Sequence, residues 1–134
     1  MSDEENESLK VVKTMAANGI LGRWDIVKQY VSDDLVMHLP PGLPFGGDYL
    51  GWEGYLQTFK ELGAFFTDLK SGEQEFACHG NKVIVMASLH GRIAKTGKPI
   101  SFPITAIWTV EDGKVVDIVP FYYDTKTICD LAAE

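Results

Sequence analysis

Cysteine is scarce in this 134-residue chain, with Cys78 and Cys129 its only two. A pair so far apart makes neither a disulfide scaffold nor a metal knuckle, and it reads as two reduced thiols in a cytoplasmic protein. Positive charge is also short: 12 Lys and Arg against 19 Asp and Glu leave a formal charge of −7. A nucleic-acid partner needs a basic stripe to displace counterions, so that class is excluded. No uninterrupted apolar run reaches membrane-spanning length, and the acidic start MSDEENESLK has no apolar h-region, so neither a membrane partner nor a secretory signal is expected. No spacing of His, Cys, Asp and Glu suggests a metal site, because neighbours such as Cys78 and His79 point to opposite faces of a strand. GGDYLG follows no strand-to-helix pattern and is not a phosphate fingerprint, so no cofactor is expected.

What is present is ordinary globular usage, 46% hydrophobic and 23% charged. The length suits one domain over 1–134, able to bury roughly two thirds of its unfolded surface. Residues 1–7 read as a frayed acidic lead. Val12, Met15 and Ala16 then recur at helical spacing until Gly19 and Gly22. A short helix with Trp24, Val27 and Val31 on one face follows, closed by Ser32-Asp33-Asp34. Leu35 to Leu39 reads as a strand stopped by Pro40-Pro41, and Pro40 to Gly51 as a turn-rich loop placed to close over a pocket mouth. Trp52, Tyr55, Leu56, Phe59 and Leu62 make the stripe of a third helix. Strands are expected over Glu73 to His79 and Lys82 to Ala94, and residues 125–134 form a terminal helix or tail. The order predicts an α+β domain with helices on one side of an antiparallel sheet.

The strongest local signal lies in PISFPITAIWTVEDGKVVDIVPFYYD, Pro99 to Asp124, where Asp112-Gly113 between apolar runs predicts a two-residue type I′ hairpin. Pairing outward sets Val110 opposite Val115, Trp108 opposite Asp117, Ala106 opposite Val119 and Ile104 opposite Phe121. The other face then carries Ile107 with Ile118, Thr105 with Pro120 and Pro103 with Tyr122. Both faces are largely apolar, so each must be covered, one by the chain's own helices and the other by something else. Pro120 cannot donate to a ladder, and a bulge there would turn Phe121 to Tyr123 over.

The run SDDLVMHLPPGLPFGGDYLGWEGYLQTF early and FPITAIWTVEDGKVVDIVPFYYD late resembles the SnoaL-like polyketide cyclase and ketosteroid-isomerase-like group, members of the nuclear-transport-factor-two-like cone fold. The resemblance covers about Leu9 to Asp124. It implies a strongly curved antiparallel or mixed sheet wrapped around three helices and an internal hydrophobic pocket, with the outer face of the sheet used for dimerisation. The implied activity is cofactor-independent isomerisation, cyclisation or dehydration of a small hydrophobic molecule bearing a carbonyl or carboxylate. The alternative is a non-catalytic ligand-binding or homo-oligomeric association domain. Motif matching puts the isomerase base at His38, its oxyanion aspartate at Thr105 and its tyrosine near Met15; Asp124 or Asp117 is the counterpart of the cyclase aspartate.

His38 titrates near neutrality and suits a general base, the alternative being a hydrogen-bonded core histidine. His90 and Arg92 share a strand face; if that face looks into the cone, as the resemblance suggests, they would hold a carboxylate or enolate oxygen. Thr105 and Tyr122 lie on the hairpin face shared with Ile107 and Ile118 and can donate hydroxyl hydrogen bonds to the same ligand. Phe45, Trp52, Tyr55, Phe59 and Trp108 are candidates for the apolar wall, or plain core.

Overall fold

The computed structural model describes residues 1–134. Helix α1 (Asp3–Gly19) starts on Ser2, whose hydroxyl accepts from the Glu5 amide while the Glu5 carboxylate accepts from the Ser2 amide. This reciprocal cap satisfies two orphan donors and starts the helix early. Residues 3–7, expected to fray, are therefore helical. A single turn, α2 (Trp24–Val27), and a 3-10 turn (Lys28–Tyr30) lead into β1 (Val31–Leu39). That strand absorbs Val31 to Asp34, expected from sequence to end the second helix.

The chain continues through β2 (Gly47–Leu50), α3 (Gly51–Phe65), β3 (Phe66–Ser71), β4 (Glu75–His79), β5 (Lys82–Ile93), β6 (Pro99–Glu111), β7 (Lys114–Tyr122) and α4 (Thr125–Ala132). Seven strands form one sheet in the order β2-β1-β7-β6-β5-β3, with β4 also paired to β5. All pairings are antiparallel except β1 with β7. The architecture is α+β, a curled mixed half-barrel with four α-helices. Strands β2 and β3 are too short and too polar to stand out in sequence, and the second half of the Pro40 to Gly51 stretch is strand rather than loop. Leu43 and Phe45 are buried, and Phe45 packs on Phe65, Phe66 and Tyr122.

The hairpin turn is as expected: Glu111 faces Lys114, and Asp112 and Gly113 both have positive φ, 50° and 75°. The register beyond it is not. Val110 faces Val115, but Thr109 faces Asp117, so Val116 is an extra residue and the bulge falls there rather than at Pro120. Trp108 then meets Ile118, Ala106 meets Pro120 and Ile104 meets Tyr122. One inserted residue exchanges the faces of β7 relative to the expected pairing. A second irregularity sits in β3, between Thr67 and Lys70, with Asp68 at φ 55°. These bulges add twist and curl the sheet around the helices.

Two groups of buried side chains fill the concave side. One holds Val12, Met15, Leu35, Met37, Tyr55 and Trp108 among others; the second holds Leu39, Phe45, Leu62, Phe66, Phe102 and Tyr122.

Candidate functional site

Between those two groups lies a cavity of about 160 Å³. Helix α3 turns Tyr55, Thr58, Phe59 and Leu62 toward it at i, i+3, i+4 and i+7, and α1 contributes Met15, Ala16, Gly19 and Ile20. Alternation along the strands supplies Met37 and Leu39 from β1, Val85, Ala87 and Leu89 from β5, Ile104, Ala106 and Trp108 from β6, and Ile118, Pro120 and Tyr122 from β7. Ala16, Ala87 and Ala106 keep this wall shallow, whereas the notch at Gly19 is taken by the Tyr55 hydroxyl. Those small residues were the sequence signal for the cavity, legible only once their faces are known.

Polar groups in the wall are few. Thr58 Oγ1 donates to the Gly54 carbonyl at 2.9 Å. Tyr55 and Tyr122 are 2% and 8% exposed, their hydroxyls have no protein partner, and burial pushes both phenols well above the usual tyrosine pKa. Each stays protonated at neutral pH and remains a donor. The Trp108 Nε1 hydrogen is buried with no partner at all. Ser71 and Gln74 line the end of the cavity next to α1; Gln74 Nε2 reaches the Ala16 carbonyl at 3.3 Å.

Of the candidates from sequence, Tyr55, Phe59, Ile118 and Tyr122 line this cavity, as does Trp108. Trp52 does not; it stacks on Tyr55 from behind, with ring centroids 5.7 Å apart. Thr105 and Ile107 lie on the opposite face of β6, paired with Phe121 and Val119, because the Val116 bulge leaves Ile104 and Ala106 facing inward with β7. His90 and Arg92 are exposed on the outer face of β5, since Leu89 and Ile93 take the inner one. His90 Nδ1 bonds Ser101 Oγ at 2.8 Å, and Arg92 donates to the Gly97 carbonyl in the adjacent turn. Asp124 is the N-cap of α4, accepting from the Thr127 amide at 2.9 Å, and the hydrogen bonds from the Thr127 hydroxyl and amide lower its pKa.

His38 also lies outside the cavity. Leu35, Met37 and Leu39 are buried on the inner face of β1, which leaves His38 on the outer one. There Asp48, its cross-strand partner on β2, and Asp117 on β7 take its two ring nitrogens, Nδ1 to Asp48 Oδ1 at 3.0 Å and Nε2 to Asp117 Oδ1 at 2.7 Å. Burial by itself would lower the His38 pKa, but the hydrogen bonds and charges of Asp117 and Asp48 outweigh it and hold the ring above its ordinary value. With both nitrogens committed to carboxylates, no lone pair is free to take a substrate proton.

The model of the SnoaL-like domain matches residues 17–118. No curated protein matches the chain. Among solved structures, TerC co-crystallised with polyporic acid is 18% identical, with 96% of this chain and 99% of that one aligned at a TM-score of 0.83. An NTF2-like protein of unknown function from Burkholderia pseudomallei is 16% identical over 100% of both chains, at 0.85. A protein with a ketosteroid isomerase-like fold from Catenulispora acidiphila, in complex with trimethylamine, is 14% identical over 84% of each, at 0.70. At these identities the likeness is one of fold.

Proposed function

We propose that this chain, which belongs to the SnoaL-like domain family by its match over residues 17–118, binds a small, uncharged hydrophobic molecule in the cavity between α1, α3 and the sheet. The observation that carries this reading is the make-up of the wall: 17 of its 22 residues are hydrophobic, and none bears a carboxylate, imidazole, ammonium or guanidinium group. A carboxylate ligand would be buried there without a counter-charge, at a cost of roughly several kcal/mol. That argues against the charged half of the ligand class expected from sequence.

The same wall argues for binding ahead of isomerisation, cyclisation or dehydration. A general base must come within about 3 Å of the proton it removes. The titratable groups in the wall are phenols held protonated by burial, and His38 is on the far side of the sheet. The neighbours crystallised with polyporic acid and with trimethylamine support the fold as one that holds a ligand.

A second copy of the chain as partner belongs to this reading. The outer face of the sheet carries Ile84, Met86, Ile107 and Val119, half-buried, beside Phe121 at 53% exposure. A reducing, cytoplasmic setting fits the two unpaired cysteines.

An apolar cavity of about 150 Å³ accommodates a benzene-sized ring, so ethylbenzene is a suitable probe for ligand-observed NMR. Saturable binding is expected, lost in Ala87→Leu/Ala106→Leu with thermal stability unchanged or raised, and kept in His38→Gln. Undiminished binding in the filled but folded variant would place the ligand elsewhere.

A further inference from the structure

We infer that the ligand's polar end is an uncharged oxygen, a carbonyl or a hydroxyl, and that it docks against the last turn of α1, where Tyr55, Ser71 and Gln74 converge. The inference rests on the ligand-binding reading above and adds which end of the cavity reads the ligand and with which residues.

Gln74, in the connection between β3 and β4, reaches across to α1. Its Nε2 donates to the Ala16 carbonyl at 3.3 Å and to Ser71 Oγ at 3.5 Å. Both bonds are at the long edge of the useful range and yield readily to a better acceptor. The Gln74 Oε1 accepts nothing from the protein and is not sealed off by it. The Tyr55 hydroxyl lies in the notch left by the missing side chain of Gly19, likewise without a partner. Ala16 and Gly19 are three residues apart, about 4.5 Å along a helix axis. A phenolic donor, an amide and a serine hydroxyl, the last already donating to the Gly72 carbonyl at 3.1 Å, thus meet within one helical turn, in a wall that is otherwise nearly all hydrocarbon.

The other polar atoms of the wall do not match this. Thr58 is committed to the Gly54 carbonyl, Trp108 Nε1 is shut away from open space, and Tyr122 stands among Phe45, Phe102 and Leu39 with Tyr49 as its polar neighbour. The α1 end brings a phenolic donor with no partner and an amide held by two long bonds together. A ligand hydroxyl can use both; a carbonyl takes the Tyr55 O–H and the Gln74 N–H. A carboxylate finds the same two donors but no cation, so its charge would stay uncompensated in the apolar wall and it is rejected.

Four one-ring probes separate these demands on the full chain: ethylbenzene, acetophenone, 1-phenylethanol and benzoate, titrated by ligand-observed NMR against the wild type, Tyr55→Phe and Gln74→Leu. Acetophenone and 1-phenylethanol are expected to bind more than about tenfold tighter than benzoate. Their affinity relative to ethylbenzene is expected to fall about fivefold in each variant, the worth of one neutral hydrogen bond. Ethylbenzene affinity in each variant is the reference for that ratio, and a cooperative thermal melt reports that each variant folds. Ethylbenzene binding with an unmoved ratio in both variants, or benzoate matching acetophenone, overturns this inference alone. Failure of ethylbenzene to bind the wild type overturns the cavity reading and this inference with it.

Discussion

The Tyr55 hydroxyl stands where a β-carbon on Gly19 would have to be. Glycine at the end of α1 is therefore a packing requirement of α3, and the two residues fix how closely the helices approach at one end of the cavity.

Gly19→Ala is expected to destabilise the protein by about 1–3 kcal/mol through overpacking, even though alanine is the better helix former by about 1 kcal/mol. Tyr55→Phe removes the offending atom, so the double variant should recover most of the loss. Urea denaturation of the four proteins gives the coupling energy, and additive effects would mean the two residues do not meet.

His38 makes stability depend on pH with a definite sign. Its folded pKa is raised, so the charged ring between Asp48 and Asp117 contributes fully below the unfolded value of about 6.5, and that contribution is lost as pH rises through the folded pKa. The Tm difference between wild type and His38→Gln should be larger at pH 6 than at pH 9. The ring is 38% exposed, so solvent screening keeps the effect below about 1 kcal/mol. An NMR titration of the His38 ring should place its midpoint above the free-histidine value, and a Tm difference that does not change with pH would remove the clamp.

Trp108 carries a buried donor with no acceptor, a state that costs about 1–3 kcal/mol. Trp108→Phe removes that penalty while leaving an aromatic ring, so its stability should stay within about 1 kcal/mol of the wild type despite the lost volume. Trp108→Ala should cost about 3–5 kcal/mol. Thermal melts separate the two outcomes; equal losses would show that the indole N–H is satisfied in solution.

The outer face predicts association. Sedimentation at micromolar concentration should give a dimer, and Phe121→Glu should give a folded monomer, because a charge placed at an apolar contact has no partner there. A monomeric wild type would leave the apolar outer face without an occupant.

Much of this was legible in the chain itself. The Asp112-Gly113 turn, the α3 stripe through Tyr55, Phe59 and Leu62, and the end of α1 at Gly19 all follow from short-range rules, because backbone dihedrals and helical periodicity are properties of neighbouring residues. The same holds for the character of the interior: a chain that is 46% hydrophobic buries a hydrocarbon core whichever way the strands are threaded. No helix of the chain is long and apolar enough to cross a membrane.

Facing was decided only in three dimensions. Whether His38, His90, Arg92 and Thr105 look into the cavity or away from it depends on which side of a seven-stranded sheet the helices cover, and alternation along a strand is silent on that. Ile118 and Tyr122 reached the cavity, and Thr105 and Ile107 did not, because Val116 adds one residue to β7. A bulge turns over every side chain beyond it relative to the partner strand, and what selects its position is the fit of Ile118 and Tyr122 against Tyr55, Leu62 and Phe102, residues far away in the chain. The sequence determined what the protein is made to bury. Tertiary packing determined which of those groups surround an empty space.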